Sequence, residues 1–575
     1  MHMLSVRPAF ISTVLVLLVV AGCTVTQEPE VRLVLINGKI VTADSLMPAA
    51  EALAVAGDTI VAVGSTEKVS AMIGAETRVI DLEGRLAVPG FIEGHGHYMG
   101  LGEARRILDL TAVKSWDEIV EMVREAAAEA EPGEWVTGRG WHQEKWESVP
   151  VGSVEGVPTH HELSDASPEN PVLLGHASGH AAFANRAAMR EAGVSPETPN
   201  PSGGEIIRDA RGELTGLFRE TAAGLIEAAL AQSRARMTPE ERDAERREQA
   251  RLAAEECLSK GITSFHDAGV GFETVRFYRM LADEGALPVR LYVMIRSSSE
   301  RLAENLADHR MVGYGNNFLT VRSVKRSIDG ALGSHGAWLL APYSDKPESI
   351  GLQTVDSDEI ARTAVVALRH GFQVNIHAIG DKANREVLDI FERAYATTDE
   401  GSDLRWRIEH AQHLSADDIP RFGALGVIAS MQGVHATSDG PWVYRRLGEE
   451  RAEEGAYVWQ KLWQSGAVVT NGTDAPVEDV DPIASFYATV SRRLSDGSIF
   501  YEDQRLTREQ TLVSYTINNA YAAFEEDLKG SLTPGKLADI VVLSRDILTV
   551  PEEEIRNAEV LYTIVGGDVL YEKLP

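Results

Sequence analysis

The feature that most constrains this chain is an alternation. Between about residues 87 and 529, short apolar runs are separated by stretches with helical periodicity. The runs are LAVPGFIEGHGH, GITSFHDAG, PVRLYVMI, TVRSVKRSIDG, FQVNIHAIGD, RWRIEHAQH, GVIASMQ and AVVTNGTDAP. Segments between them, such as DEIARTAVVALRHG and KANREVLDIFERAYA, read as helices. Strands alternating with helices predict a parallel sheet with crossover connections. Eight strands are what closure into a (β/α)8 TIM barrel requires. The spacing between the first and second runs is far too long for one connection. Residues from about 99 to 255, rich in Trp, His and Gly, are therefore expected to contain an inserted subdomain.

The segments flanking the barrel have another texture. Residues 31–86 alternate in the β manner, in VRLVLINGKIVTAD, EALAVAGDTIVAVG and TRVIDLEGRLAVPG, with NG, GD and EG turn signals. The same texture returns at 530–575, in GSLTPGKLADIVVLSRDI and AEVLYTIVGGDVLYE. The two ends are predicted to fold together as one β-sandwich, because domain termini often lie close in space. The expected fold class is thus α/β: a barrel, a sandwich built from both chain ends, and a long insertion after barrel strand 1.

The first residues read as a targeting segment. Arg7 gives a positive start, and AFISTVLVLLVVAG is apolar but short for a span. Val20-Ala21-Gly22-Cys23 resembles a bacterial lipobox, which makes residues 1–22 a lipoprotein signal peptide and Cys23 the lipidated residue. Thr24 rather than Asp after the cysteine points to the periplasmic side of the outer membrane in a Gram-negative cell. The alternative is an uncleaved N-terminal anchor. Residues 23–30 read as a short tether. With only two cysteines in the chain, a lipidated Cys23 leaves Cys257 without a partner, and it is expected to be buried and inert. A formal net charge of −31 argues against nucleic acid or anionic lipid as a partner. Contact with the membrane is expected only through the lipid anchor. The expected partner is a small-molecule substrate, and a homo-oligomer remains open.

The chemistry is expected where a barrel places it, at the C-terminal ends of the strands. The first run ends in His95 and His97, whose i, i+2 spacing puts both imidazoles on one face of a strand. The fourth carries Lys325. The fifth ends in His377, the sixth in His410, and the eighth in Asp474. Each has a bland alternative: a histidine can cap a loop, a lysine can snorkel, and an Asp before Ala-Pro is often a turn former. All of them falling in order at strand ends is what argues for a metal site.

These motifs resemble the amidohydrolase superfamily, and within it the amidohydrolase-3 or YtcJ-like group that includes N-substituted formamide deformylase. The resemblance runs from about Val31 to the C-terminus. It rests on PGFIEGHGH, RGWHQEKW, SPENPVLLGHASGHAAFAN, IDGALGSHGA, IHAIGDKAN, RIEHAQH and GTDAP. It implies a divalent-metal hydrolase with ligands His95, His97, Lys325, His377, His410 and Asp474. The sequence departs from the group's pattern at His142, at Glu93 and at Ser334-His335, which bears on substrate preference.

Imidazole and carboxylate ligands suit Zn²⁺. A lysine ammonium cannot ligate, but a buried lysine beside cations has a depressed pKa. Its neutral amine can add CO₂, so a carboxylated Lys325 bridging two metal ions is expected. A metal-activated hydroxide would attack a C–N bond of a linear amide or N-acyl compound. Asp474 would act as general base and His410 or His180 would hydrogen-bond the oxyanion. Weaker substrate-contact candidates are Trp141, His142, Trp146, Asp329, His335 and Gln432. His266 and Asp267 are candidate neighbours of the ligands. The alternatives are hydrolysis of a cyclic amide or heterocycle, or deamination, within the same superfamily, and more remotely an inactive surface-tethered binding protein.

Overall fold

The computed structural model describes residues 30–573 except 142, 144, 145, 155, 177–180, 202, 203, 334 and 400, and only the backbone at 220. The proposed signal peptide, Cys23, His142 and His180 lie outside the described residues, as does all of the tether but Glu30. Barrel strands 1 to 8 are Phe91–Gly96, Ile262–Val270, Arg290–Ile295, Leu319–Ser327, Gln373–Ala378, Arg407–His410, Ile428–Gln432 and Val469–Gly472. They lie side by side in that order, each ladder parallel. Strand 8 returns to strand 1 just beyond its end, where Asp474 N donates to His95 O at 2.7 Å. The result is a nearly closed eight-stranded barrel.

The helices outside it follow from their apolar spacing. In Ser357–His370 the buried residues are Ile360, Thr363, Ala364 and Ala367, one stripe facing the sheet. Asp356 caps its start, and Gly371, at φ 67°, takes the left-handed turn that ends it. Among the described residues no helix is long and apolar enough to cross a membrane.

The run LAVPGFIEGHGH is two strands, not one. Leu86–Pro89 pairs with Ile540–Leu543 in the sandwich, and Phe91–Gly96 opens the barrel. The switch occurs at Gly90. Its N–H goes to Asp539 O, whereas the next, Phe91 N, goes to Gly261 O. A Cβ at Gly90 would stand 2.3 Å from the Thr263 side chain, so only glycine allows the chain to change sheets there.

The sandwich has a four-stranded sheet drawn from residues 31–81 and a six-stranded one. The latter joins Lys39–Val41, Ala49–Ala50 and Leu86–Pro89 to Ile540–Leu543, Val560–Val565 and Asp568–Glu572. Leu33, Leu35, Leu53 and Val55 of one sheet share a core with Ala87, Ile540, Val542 and Ile564 of the other. The expected insertion proves narrower than 99–255. Its six-stranded sheet spans Leu108–Asp109 to Leu214–Glu220. Its two ends are barrel wall. Helices Tyr98–Ala104 and Pro239–Ser259 cross so closely that a Cβ on Gly102 would lie 1.8 Å from Gln249 O. Cys257 is buried on the second of these, in the barrel core.

Sandwich and barrel are joined by a buried ion pair. Arg290 at the start of strand 3 donates from Nε and Nη2 to Asp539, at 2.8 and 3.0 Å, with both side chains under 5 % exposed. Removing one partner strands a buried charge, whereas replacing both with apolar residues does not. Asp539→Ala should therefore cost about 3–5 kcal/mol by urea unfolding. The double variant Arg290→Met/Asp539→Leu should recover most of it. Equal losses in both variants would contradict this account of the joint.

Candidate metal centre

Five of the eight strands deliver the predicted ligands to one place. His95 on strand 1 is buried, and His97 follows as the residue capping the next helix. Asp474 lies just past strand 8. Its Oδ1 is 3.2 Å from His97 Nε2 and 3.6 Å from His95 Nε2. Lys325 Nζ on strand 4 stands 3.2 Å from His95 Nε2. The His410 ring centroid is 4.7 Å from that of His95 and 4.5 Å from that of His377. Ligand atoms of His95, His410 and Asp474 all lie within 4.8 Å of one another. The six residues are contiguous.

The hydrogen bonds fix which nitrogens can bind a cation. His95 Nδ1 lies 2.5 Å from Glu409 Oε2. Glu409 is fully buried, and Lys325 and Arg407 reinforce the pull of His95 on its carboxylate. Burial alone would raise its pKa, but these partners hold it down at about 2. An ionised carboxylate only accepts, so Nδ1 carries the proton and Nε2 keeps a lone pair. The Lys325 ammonium, donor only, meets that same Nε2. His410 Nδ1 is 2.7 Å from Gln432 Oε1, and the Gln432 amide nitrogen donates to Ser430 O. His410 Nε2 is therefore also the free lone pair. It suits a metal ligand and cannot donate to an oxyanion, which counts against the second role expected for His410. Both imidazoles have the carboxylate- or carbonyl-backed form of metal-binding histidine.

The electrostatics agree. Desolvation lowers the pKa of His95, His377 and His410, with His377 down at about 3, so all three are neutral at neutral pH. Desolvation also brings Lys325 down to about 8. Burial would raise Asp474, but His97, 3.2 Å away, and the surrounding imidazoles hold it well below the usual range. His377 Nε2 and Asp474 Oδ1 are buried without a hydrogen-bond partner. Neutral imidazoles, an anionic carboxylate and orphaned donor atoms are a set that fits a divalent cation.

Several weaker candidates lie elsewhere. Trp141 is buried in the insertion core, its Nε1 donating to Leu174 O, and Trp146 packs beside it. Trp141 belongs to the apolar core of the insertion, and Trp146 packs against that core. Asp329 is filled by the backbone N–H groups of Ile379, Gly380 and Trp338, and so staples the loops after strands 4 and 5. Its Oδ1 lies 3.5 Å from His377 Nε2. His335 pairs with Asp345 at 3.1 Å. Gln432 orients His410 rather than facing substrate. Asp267 accepts from Tyr278, and His266 contacts Arg407 below the ligands.

Sequence reasoning missed Glu409 and His435. Glu409 was visible as the residue before His410, two positions from Arg407 on the same inward face. His435 is buried and starts the helix after strand 7. Its Nδ1 meets the Gln412 amide at 2.9 Å, and its ring lies 6.4 Å from that of His410. No spacing signal links it to the candidate ligands. The second histidine of RIEHAQH, His413, is buried against Tyr457 with neither ring nitrogen bonded.

A metal-ready imidazole–carboxylate cluster at the C-terminal mouth of a parallel barrel defines a class of metal-dependent hydrolases. The Amidohydro_3 model of the amidohydrolase family matches residues 78–571, and this chain belongs to that family, in its YtcJ-like group. It is 34% identical to Protein LONG AFTER FAR-RED 3 of Arabidopsis thaliana, over 94% of this chain and 91% of that one. It is 31% identical to putative amidohydrolase YtcJ of Bacillus subtilis, over 91% and 96%. With the N-substituted formamide deformylase of Arthrobacter pascens it shares 28% identity, over 94% and 98%. An uncharacterized metal-dependent hydrolase from Pyrococcus furiosus superposes with TM-score 0.73 at 29% identity, covering 90% of this chain and all of that one.

Two outcomes follow from the geometry. Glu409→Gln should keep the fold but weaken metal binding about 10- to 100-fold in chelator competition, and unchanged affinity would remove Glu409 from the centre. His413 tests pH linkage without touching a ligand. Desolvation holds it at about 3, against 6.5 when free. Its contribution is intact above pH 6.5 and is lost as pH falls toward 3. Metal-free His413→Phe should therefore lose roughly 2 kcal/mol less stability than wild type between pH 7 and 5. Parallel pH profiles would contradict a neutral buried imidazole.

Proposed function

We propose that this protein hydrolyses a C–N bond in a linear amide or N-acyl compound, using a divalent metal centre. The observation that carries the reading is the pair of lone pairs, on His95 Nε2 and His410 Nε2, held toward Asp474 by Glu409 and Gln432. The formamide deformylase relative supports amide chemistry. His95, His97, His377, His410 and Asp474 would hold the metal, most suitably Zn²⁺ by ligand type. When bound, such an ion supplies Lewis acidity toward a carbonyl oxygen and acidifies water.

The chain's own groups do the rest. Lys325, at about 8, has an accessible neutral amine. Addition of CO₂ to Nζ with loss of one proton forms a carbamate, whose two oxygens would let Lys325 bridge two ions. Asp474 is anionic at neutral pH, the state required both to ligate and to accept a proton from the attacking water. After the tetrahedral carbon forms, it would return that proton to the leaving nitrogen, so that amine and acid depart. The buried imidazoles of His95, His377 and His410 stay neutral and do not compete for the proton.

Chelation should abolish hydrolysis of N-formyl and N-acetyl amines, and metal-free protein with full activity would refute the reading. Asp474→Asn should fold, retain most of its metal and lose roughly two to four orders of magnitude in turnover. His95→Ala should lose metal and activity together. Near wild-type turnover by Asp474→Asn would rule out Asp474 as the base.

A further inference from the structure

Arg296 follows strand 3 directly, at the barrel mouth, and is exposed. Its backbone N–H donates to Val270 O at 2.8 Å, joining the ends of strands 2 and 3. Its stem crosses Gly269, which sits at φ 123°. A Cβ there would lie 3.3 Å from both Arg296 Cδ and Lys325 Cγ, so the stems of the arginine and of the buried lysine run past the same point. Beyond it, Nη2 donates to Ser327 Oγ at 3.1 Å, at the end of strand 4. Ser327 is paired in register with His377. The charge of Arg296 acts on both Lys325 and His377, lowering each.

No carboxylate among the described residues lies within ion-pair distance of this guanidinium. The reason is not scarcity, since the chain has 86 acidic residues against 55 basic. The nearby Arg326 pairs with Glu359 at 3.3 Å, and Arg290 with Asp539. A cation left exposed at the rim, anchored by one hydroxyl beside the ligands, retains donors in a planar fork suited to a carboxylate.

We propose that Arg296 binds an anionic group on the substrate, which makes the substrate class amides bearing a carboxylate, of the N-acyl amino acid type. This rests on the hydrolytic reading above. The carboxylate docks between the ends of strands 3 and 4, while the scissile carbonyl lies over His95, His410 and Asp474. The acid group is thus held by the guanidinium on one side of the metal centre, and the acyl group extends to the other.

The test compares metal-loaded protein on matched pairs: N-formylglycine against N-formylmethylamine, and N-formylleucine against N-formylisoamylamine. Wild type should favour the acids in kcat/KM by about 10- to 100-fold, the range for a hydrogen-bonded charge. Arg296→Gln should bring that ratio close to one, and Arg296→Lys should retain part of it. An equal ratio in wild type and Arg296→Gln, or a wild-type preference for the neutral amides, overturns the proposal while leaving the hydrolytic reading intact. If wild type cleaves neither member of a pair, the hydrolytic reading fails for these amides. Calorimetric titration with N-formylleucine then decides the site. Binding weakened about tenfold in Arg296→Gln supports it, and absent or equal binding overturns it.

Discussion

The geometry of the candidate metal centre depends on how strand 8 meets strand 1. The two strands are joined at the seam largely by a side chain. Glu93 accepts from Thr473 N at 2.6 Å, from Thr473 Oγ1 at 3.1 Å and from His95 N at 3.3 Å. Asp474 N then reaches His95 O, and His97 N reaches Ala475 O. Both sides need glycine. A Cβ on Gly94 would stand 2.4 Å from Asn471 O, and one on Gly472 would stand 2.4 Å from Glu93 Oε1. Glu93, together with those two backbone hydrogen bonds and the Asn519 amide that donates to both Ile92 O and Asn471 O, sets the distance between His95, His97 and Asp474. Complete burial pushes Glu93 up to about 8, and its three donors offset part of that cost.

The same logic extends around the barrel. Two of the candidate ligands have a partner one layer back: Glu409 behind His95 and Gln432 behind His410. Those partners come from strands 6 and 7, so a ligand's orientation is set by a different strand from its position. Below them the interior stays polar, with Arg407, His266 and Asn375 buried. The barrel trades some apolar packing for control of the imidazoles.

Much of this was legible in the sequence. The eight strands were readable because parallel barrel strands are short continuous apolar runs, and five of them end in ligand-type residues. The sandwich was readable from alternation at both chain ends. What escaped is what depends on partners distant in sequence. LAVPGFIEGHGH reads as one strand because its hydrophobicity is unbroken, and only the switch from Asp539 to Gly261 as hydrogen-bond partner divides it. Trp141 beside a histidine-rich motif suggested a pocket, yet its indole is spent on the insertion core. Glu409 looked like an ordinary strand residue until the fold brought it against His95, 314 positions away. The departure from the family pattern at Glu93 proved to be a seam residue, so its chemistry belongs to barrel closure.

The central claim is that His95 and His410 present Nε2, and Asp474 its carboxylate, to one metal ion. Anomalous diffraction from crystals of the metal-loaded protein, collected on both sides of the metal's absorption edge, tests it most directly. The account predicts a peak about 2.0–2.2 Å from these three groups, with Glu409 still on His95 Nδ1. A metal bound through Nδ1 of either histidine, or one seated away from Asp474, would contradict it.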